Sequence, residues 1–346
     1  MLVYATTWFS MILMRLLSTQ RSQSFIYSTL VIFLIVFAGL RWEVGCDWGN
    51  YLYQFEIVSL PEFSPWNMLK ENGWWLLIDT IQAAGLPYFA LNLVIAAIFF
   101  FCINAFALKQ NDPVTFIIVL FPMLILGIVM AAARQTIAIG FVTLALMAFN
   151  NRKPLRMALW LFVAASFHSS ALIFSPLFLI AWGRLSRLRV VFSLVLSIPI
   201  IATITPSEDF NYVSGSYLNT EVVARGVAIR LGSLLSTAII FWFFLRKSWR
   251  INSPNDYSLA MIFFLGTLFL LPLIDQASVI SDRLSYYLVP LQAMIIARAQ
   301  TLPGIRNREL ILVAQWLVLS VALIVWMSVS NLFNGCYSPY GNVIFL

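Results

Sequence analysis

Charge is scarce in this sequence: charged residues make up 10% of 346 positions, against 61% hydrophobic. A soluble globule of that composition has too few polar side chains to cover its own surface. Histidine occurs once, as His168, and the three cysteines, Cys46, Cys102 and Cys336, stand at no metal-ligand spacing; this argues against a zinc site or other metal centre. There is no glycine-rich phosphate loop and no cluster of carboxylates of the metal-binding kind, so a metal-free chemistry with no cofactor is expected. No run of alternating strands occurs, which speaks against a membrane β-barrel. Internal repeats, low-complexity tracts and a soluble domain are also missing. Residues 1–346 therefore read as one polytopic membrane domain. The first apolar run has neither a basic leader nor an A-x-A cleavage site, so it reads as a retained helix.

What the chain does have is apolar runs separated by short charged loops, from Leu2 to Leu332. Each approaches the roughly 20 residues a helix needs to cross a bilayer core, and a spanning backbone satisfies its own hydrogen bonds as helix. The fold class expected is all-α, with about 12 membrane helices. Spans are placed near 2–17, 25–40, 88–108, 114–132, 134–149, 189–205, 227–246, 257–274, 284–299 and 309–332, with 155–183 either one long helix or two short ones meeting near His168. The net charge of +7 sits in small loop clusters, as topology determinants do, so nucleic acid is not an expected partner and the lipid bilayer is.

Those clusters also decide the ambiguous stretch. If the chain turns back at His168, one side of the membrane holds 15 of the 21 basic residues and the other 6. A single span there gives 9 against 12. The positive-inside rule favours the turn-back and makes the richer side cytoplasmic. A short hairpin leaves His168 at membrane depth, which is tolerable only against protein or water, and this points to a cavity open to the outside. The outer side then carries loops near 41–87 and 206–226, rich in aromatics, with an interfacial helix expected over 74–85.

Few cations remain on that outer side, and each needs a reason to be there. Arg134-Gln135 lies between two apolar runs, where it reads either as an anion ligand or as a structural cap on helix carbonyls. His168, in Ser166-Phe167-His168-Ser169-Ser170, could act as a base, bond a phosphate oxygen, or only satisfy the freed backbone of the hairpin. Asp282-Arg283 precedes Tyr286-Tyr287 at a helix end, as an interfacial ion pair or as part of a site. Arg230 lies within a helix start and is the better inward candidate; Arg225 reads equally as an interfacial anchor. Asp47 and Arg41 flank a Gly-Cys-Asp turn of ordinary loop chemistry. Cys46 and Cys336 both fall in outer segments, where a disulfide is permitted but not required.

Taken in order, Arg41-x-x-x-Gly45-x-Asp47-x-x-x-Tyr51 at the opening of the first outer loop resembles the signature of bacterial O-antigen and exopolysaccharide polymerases of the Wzy/EpsG type. The stretch from Arg134-Gln135 to Phe167-His168-Ser169-Ser170-Ala171-Leu172 resembles that family's second signature. Arg283 ahead of a Tyr-rich helix and Pro339-Tyr340 are weaker echoes. The resemblance implies a membrane glycosyltransferase of the bacterial cytoplasmic (inner) membrane with its active site facing the periplasm or exterior. Its substrates would be undecaprenyl-pyrophosphate-linked oligosaccharides, and a chain-length regulator protein is a partner it admits. On this reading Asp47, His168, Arg134 and Arg283 are catalytic, and Arg41, Tyr51, Gln135, Arg230 and Tyr286 bind substrate. The arginines would carry charge on the leaving pyrophosphate, and Asp47 or His168 would accept the hydroxyl proton. Competing readings are a flippase or secondary transporter, which would want intramembrane carboxylates, a membrane acyltransferase using His168, and an O-antigen-ligase-like transferase that differs only in its acceptor.

Overall fold

In a computed structural model of the chain, residues 1–19, 21–60, 63–64, 71–181, 226–299, 301, 303 and 308–345 are described. They form helices α1 (Leu2–Leu17), α2 (Gln23–Gly39), α3 (Trp48–Val58), α4 (Asn72–Ala83), α5 (Tyr88–Ala107), α6 (Pro113–Leu120), α7 (Ala133–Asn150), α8 (Pro154–Phe167) and α9 (Leu177–Ala181). There follow α10 (Gly226–Ile240), α11 (Arg246–Asn252), α12 (Pro254–Leu270), α13 (Leu273–Gln276), α14 (Ser278–Ser285), α15 (Val289–Ala299), α16 (Arg308–Val329) and α17 (Asn331–Cys336). The chain is all-helical as expected, apart from a two-stranded antiparallel pair, β1 (Arg41–Trp42) with β2 (Gly341–Asn342). Among the described residues, four helical stretches are long and apolar enough to cross a membrane: Tyr88–Ala107, Ala133–Asn150, Gly226–Asn252 and Arg308–Val329. Five further apolar helices are shorter. The expected span 189–205 and all of the outer loop 206–226 except Gly226 lie outside the described residues, as do Trp66, Lys70 and Arg225.

The centre of the bundle is the pair α6 and α15. Every side chain from Val114 to Val119 is buried, as is nearly all of α15. Apolar along most of their faces, with Thr115, Gln292 and Arg298 each hydrogen-bonded to neighbours, these helices can be enclosed by others. Around them the outermost helices present Phe25, Phe101, Phe162 and Leu317 outward, an apolar surface suited to lipid. Past Phe121-Pro122 the α6 helix widens into a π-helical stretch, Phe121–Val129; proline removes an N–H from the ladder, and a widened turn accommodates it. The chain then reverses at Met130–Ala132 into α7, so Arg134 stands at the tip of a helix hairpin.

The basic loops gather at the opposite end. Arg15 pairs with Asp112 at 2.6 Å. Arg298 pairs with Asp256 and donates to the Gln110 side chain at 2.7 Å and the Lys109 carbonyl at 3.1 Å. Asn150 donates to Asp256 at 2.7 Å, and Arg246 to the Tyr257 hydroxyl at 3.1 Å. Arg246 and Arg298 thus share an end with Lys109 and Asn150, as the turn-back at His168 requires. A cavity of about 230 Å³ opens among Lys109, Gln110, Asn150, Asp256 and Arg298 at this end. The α8 helix does stop at Phe167, His168 is extended (φ −154°, ψ 118°), and a 3₁₀ turn, Ser169–Phe174, leads into α9. The α9 helix packs back against α7 and α8.

Candidate functional site

The signature of the first outer loop has a physical basis at Gly45. Its φ is +104°, and a Cβ there would sit 1.9 Å from the Met130 carbonyl oxygen; only glycine fits both the conformation and the space. The turn is held from the other side by Gly45 N–H donating to the Cys336 carbonyl at 2.7 Å and by a Cys46–Cys336 disulfide, Cα–Cα 4.8 Å. The loop therefore rests on the α6–α7 reversal, and Asp47, at the start of α3, comes within the field of Arg283 and Arg134. Burial raises the Asp47 carboxyl above its ordinary value, and the two arginines oppose the rise.

Arg134 faces a carboxylate that stands in none of the motifs read from the sequence. Glu71, immediately ahead of α4, binds the Arg134 guanidinium through Oε2. Its Oε1 meets His168 Nδ1 at 2.8 Å and accepts the Ser169 N–H at 3.2 Å. Burial would raise the Glu71 pKa, but the His168 contact, the Arg134 charge and the Ser169 N–H outweigh it and hold the group at about 2. Glu71 has a left-handed backbone (φ +58°) and its side chain does not cap its own helix, so the carboxylate is committed to the site. The approach of α4 to α8 depends on Gly73, where a Cβ would lie 2.4 Å from the Ser166 Oγ. The Tyr51 hydroxyl lies within the field of Arg134, while its ring packs edge-on against Trp74.

A third part of the site comes from α14 and the 3₁₀ turn after it, Tyr286–Leu288. Gln135 donates to the Arg283 carbonyl at 2.7 Å, tying the hairpin tip to α14. Arg283 is exposed and forms no ion pair among the described residues. Tyr287 shares a hydrogen bond with Ser170, 2.8 Å between hydroxyl oxygens. Arg230 pairs with Asp282 and lies 3.7 Å over the Tyr286 ring; the Tyr286 ring edge fits where Gly127 has no side chain. Thus Asp47, Tyr51, Arg134, Gln135, His168, Arg283, Arg230 and Tyr286 converge on one end of the bundle.

Arg41 stands apart from them. It is 2% exposed, and its guanidinium donates to the Ala38 carbonyl at 2.6 Å, Asn92 Oδ1 at 3.1 Å and the Val44 carbonyl at 3.2 Å. Those bonds brace the loop rather than offer a fork to a ligand. In the gathered site Arg134, Arg230 and Arg283 face Glu71, Asp47 and Asp282, so an arriving anion meets balanced charge. What it finds open are Arg283 and the exposed part of Arg134, whose side chain is 32% accessible. No group of three histidines, cysteines or carboxylates among the described residues is placed to hold a metal ion.

Comparison with known proteins gives one match: the model of the EpsG family covers residues 24–342. No curated protein and no solved structure matches the chain.

Proposed function

The chain belongs to the EpsG family, and we propose that it polymerises lipid-linked oligosaccharide repeat units at the outer face of the bacterial cytoplasmic membrane. The growing glycan on undecaprenyl pyrophosphate is the donor, and a hydroxyl of a new repeat unit is the acceptor. That hydroxyl attacks the anomeric carbon, the bond from this carbon to the phosphate oxygen breaks, and lipid pyrophosphate departs with the electron pair. The observation that carries this reading is the gathering of Arg134, Arg283, His168 and Asp47 at the end of the bundle away from the basic loops. Arg283 and the open side of Arg134 supply guanidinium donors where charge grows on the leaving group. Arg230, Gln135, Tyr51 and Tyr286 hold these arginines and the walls around them in place, and Arg41 braces the loop that carries Asp47. The positive-inside rule sets the basic end in the cytoplasm, so the site opens outward.

A transporter reading is less well supported, because Glu71 and Asp282 are paired with arginines and Asp47 sits in the field of Arg283 and Arg134 at one end of the bundle, not along a path through it. The test is a glycan ladder from cells lacking the gene. Loss of long chains with single repeats retained supports the polymerase, whereas loss of all surface glycan points to a flippase or a ligase.

A further inference from the structure

Glu71 lies in none of the motifs read from the sequence, yet its one carboxylate reaches Arg134 on α7, the His168 ring at the end of α8 and the Ser169 N–H beyond it. A carboxylate accepts and never donates when ionised. The ring nitrogen facing it, Nδ1, must therefore carry the proton, and in the neutral imidazole this leaves the lone pair on Nε2. Nε2 has no hydrogen-bond partner among the described residues, and the His168 side chain is 15% exposed. The groups facing this pair are Arg134 from α7, with the Tyr51 hydroxyl from α3 in its field, and Tyr287, whose hydroxyl feels both Glu71 and Arg283. None of them offers a second acceptor to Nδ1.

We propose that Glu71 is the positioning carboxylate of the transfer reaction: it fixes His168 in the Nδ1–H form so that Nε2 is the base that takes the acceptor hydroxyl's proton, and it aims Arg134 with its other oxygen. This rests on the polymerase reading and assigns the base, which the sequence left between Asp47 and His168. As the acceptor oxygen bonds to the anomeric carbon, its proton passes to Nε2, and the electron pair of the breaking bond leaves on the pyrophosphate. The imidazolium so formed is stabilised by Glu71 and returns its proton to water before the next round. The same logic of carboxylate, imidazole and hydroxyl operates in hydrolases with a catalytic triad. Asp47 then serves to orient Arg283 and Arg134.

His168 is the single histidine of the chain, so protein purified through a tag without histidine and labelled with ¹⁵N-histidine gives one pair of ring signals. In wild type at pH 8 the expected signature is a protonated Nδ1 and a bare Nε2, and in Glu71→Gln that preference is lost. In a polymerisation assay Glu71→Gln lowers the rate per folded molecule by roughly 100-fold or more. Glu71→Asp recovers part of that loss. Added to His168→Ala, Glu71→Gln costs several-fold less than it does alone, leaving only the part that acts through Arg134, because residues acting as a unit are not additive. An Nε2–H form in wild type, an imidazolium persisting at pH 8, or equal losses from Glu71→Gln with and without His168 would each overturn the proposal. The ring signals are read without turnover, so they stand or fall apart from the polymerase reading, which the glycan ladder decides.

Discussion

Replacing Gly45 by alanine should disable the site while leaving most of the bundle folded. Two costs can be worked from the structure. A side chain at φ +104° strains the backbone by roughly 1–2 kcal/mol. The added Cβ would also lie 1.9 Å from the Met130 oxygen, 3.0 Å from its carbon and 3.2 Å from the Ala131 Cα. Ordinary carbon contacts lie at about 3.5–4.0 Å, so the turn must lift by more than ~1 Å, and forced repacking of this kind costs about 1–3 kcal/mol. The Cys46–Cys336 link and the Gly45 N–H bond to Cys336 resist that lift, so the strain falls on the segment carrying Asp47. A displacement of about 1 Å in a catalytic group commonly costs about 100-fold in rate. The measurement is glycan ladder formation per folded molecule, with size exclusion in detergent as the folding check and Gly49→Ala as the control. A Cβ on Gly49 meets nothing within 4 Å, and alanine inside a helix gains roughly 0.5–1 kcal/mol over glycine. Wild-type rates for Gly45→Ala would refute the claim that this turn sets the site.

Further outcomes are expected. Arg134→Lys should be nearly as inactive as Arg134→Ala with folding intact, since an ammonium cannot hold Glu71 and present a planar fork together; near-wild-type turnover of Arg134→Lys would move the leaving-group role to Arg283. Thiol alkylation of the denatured protein should find one reactive cysteine before reduction, Cys102, and three after, and Cys336→Ser should lower thermal stability in detergent by an amount equivalent to about 2–5 kcal/mol. Glu71 is held at about 2 from an ordinary 4.5, a depressed carboxylate, so its contribution is fully present above pH 4.5 and is lost as pH falls from there towards 2. Glu71→Gln should flatten the acid limb of the unfolding profile by up to about 3 kcal/mol, and an unchanged limb would contradict the ion pair. Excess EDTA should leave purified activity intact; loss rescued by magnesium or manganese would show that the reaction needs a metal.

The helices were legible because lipid-facing and buried helices are both apolar, and the charged breaks between them mark their ends. The reversal before Arg134, the stop at His168 and the interfacial helix near residues 74–85 all carry local signals of this sort, and the basic loops reported their common end through charge alone. Glu71 carried no such signal. It is one carboxylate among the outer acids, and its value arises only when Gly73 lets α4 sit on α8. The roles of Arg41 and Arg134 were equally hidden, since an arginine saturated by carbonyls and one open to solvent look alike in sequence. The disulfide joins residues 290 positions apart, a separation at which no local pattern operates.

That separation gives the site a clock. The turn bearing Asp47 is synthesised well before the groups that clamp it: Cys336, the Gly341–Asn342 strand and Tyr340, stacked 4.8 Å from Phe37, follow some 290 residues later. At about 5–20 residues per second the interval is on the order of 15–60 s, during which Cys46 waits for the partner it bonds in the folded chain. On the proposed reading, the catalytic geometry is therefore completed only when the later segment closes over the first loop, long after that loop has been made.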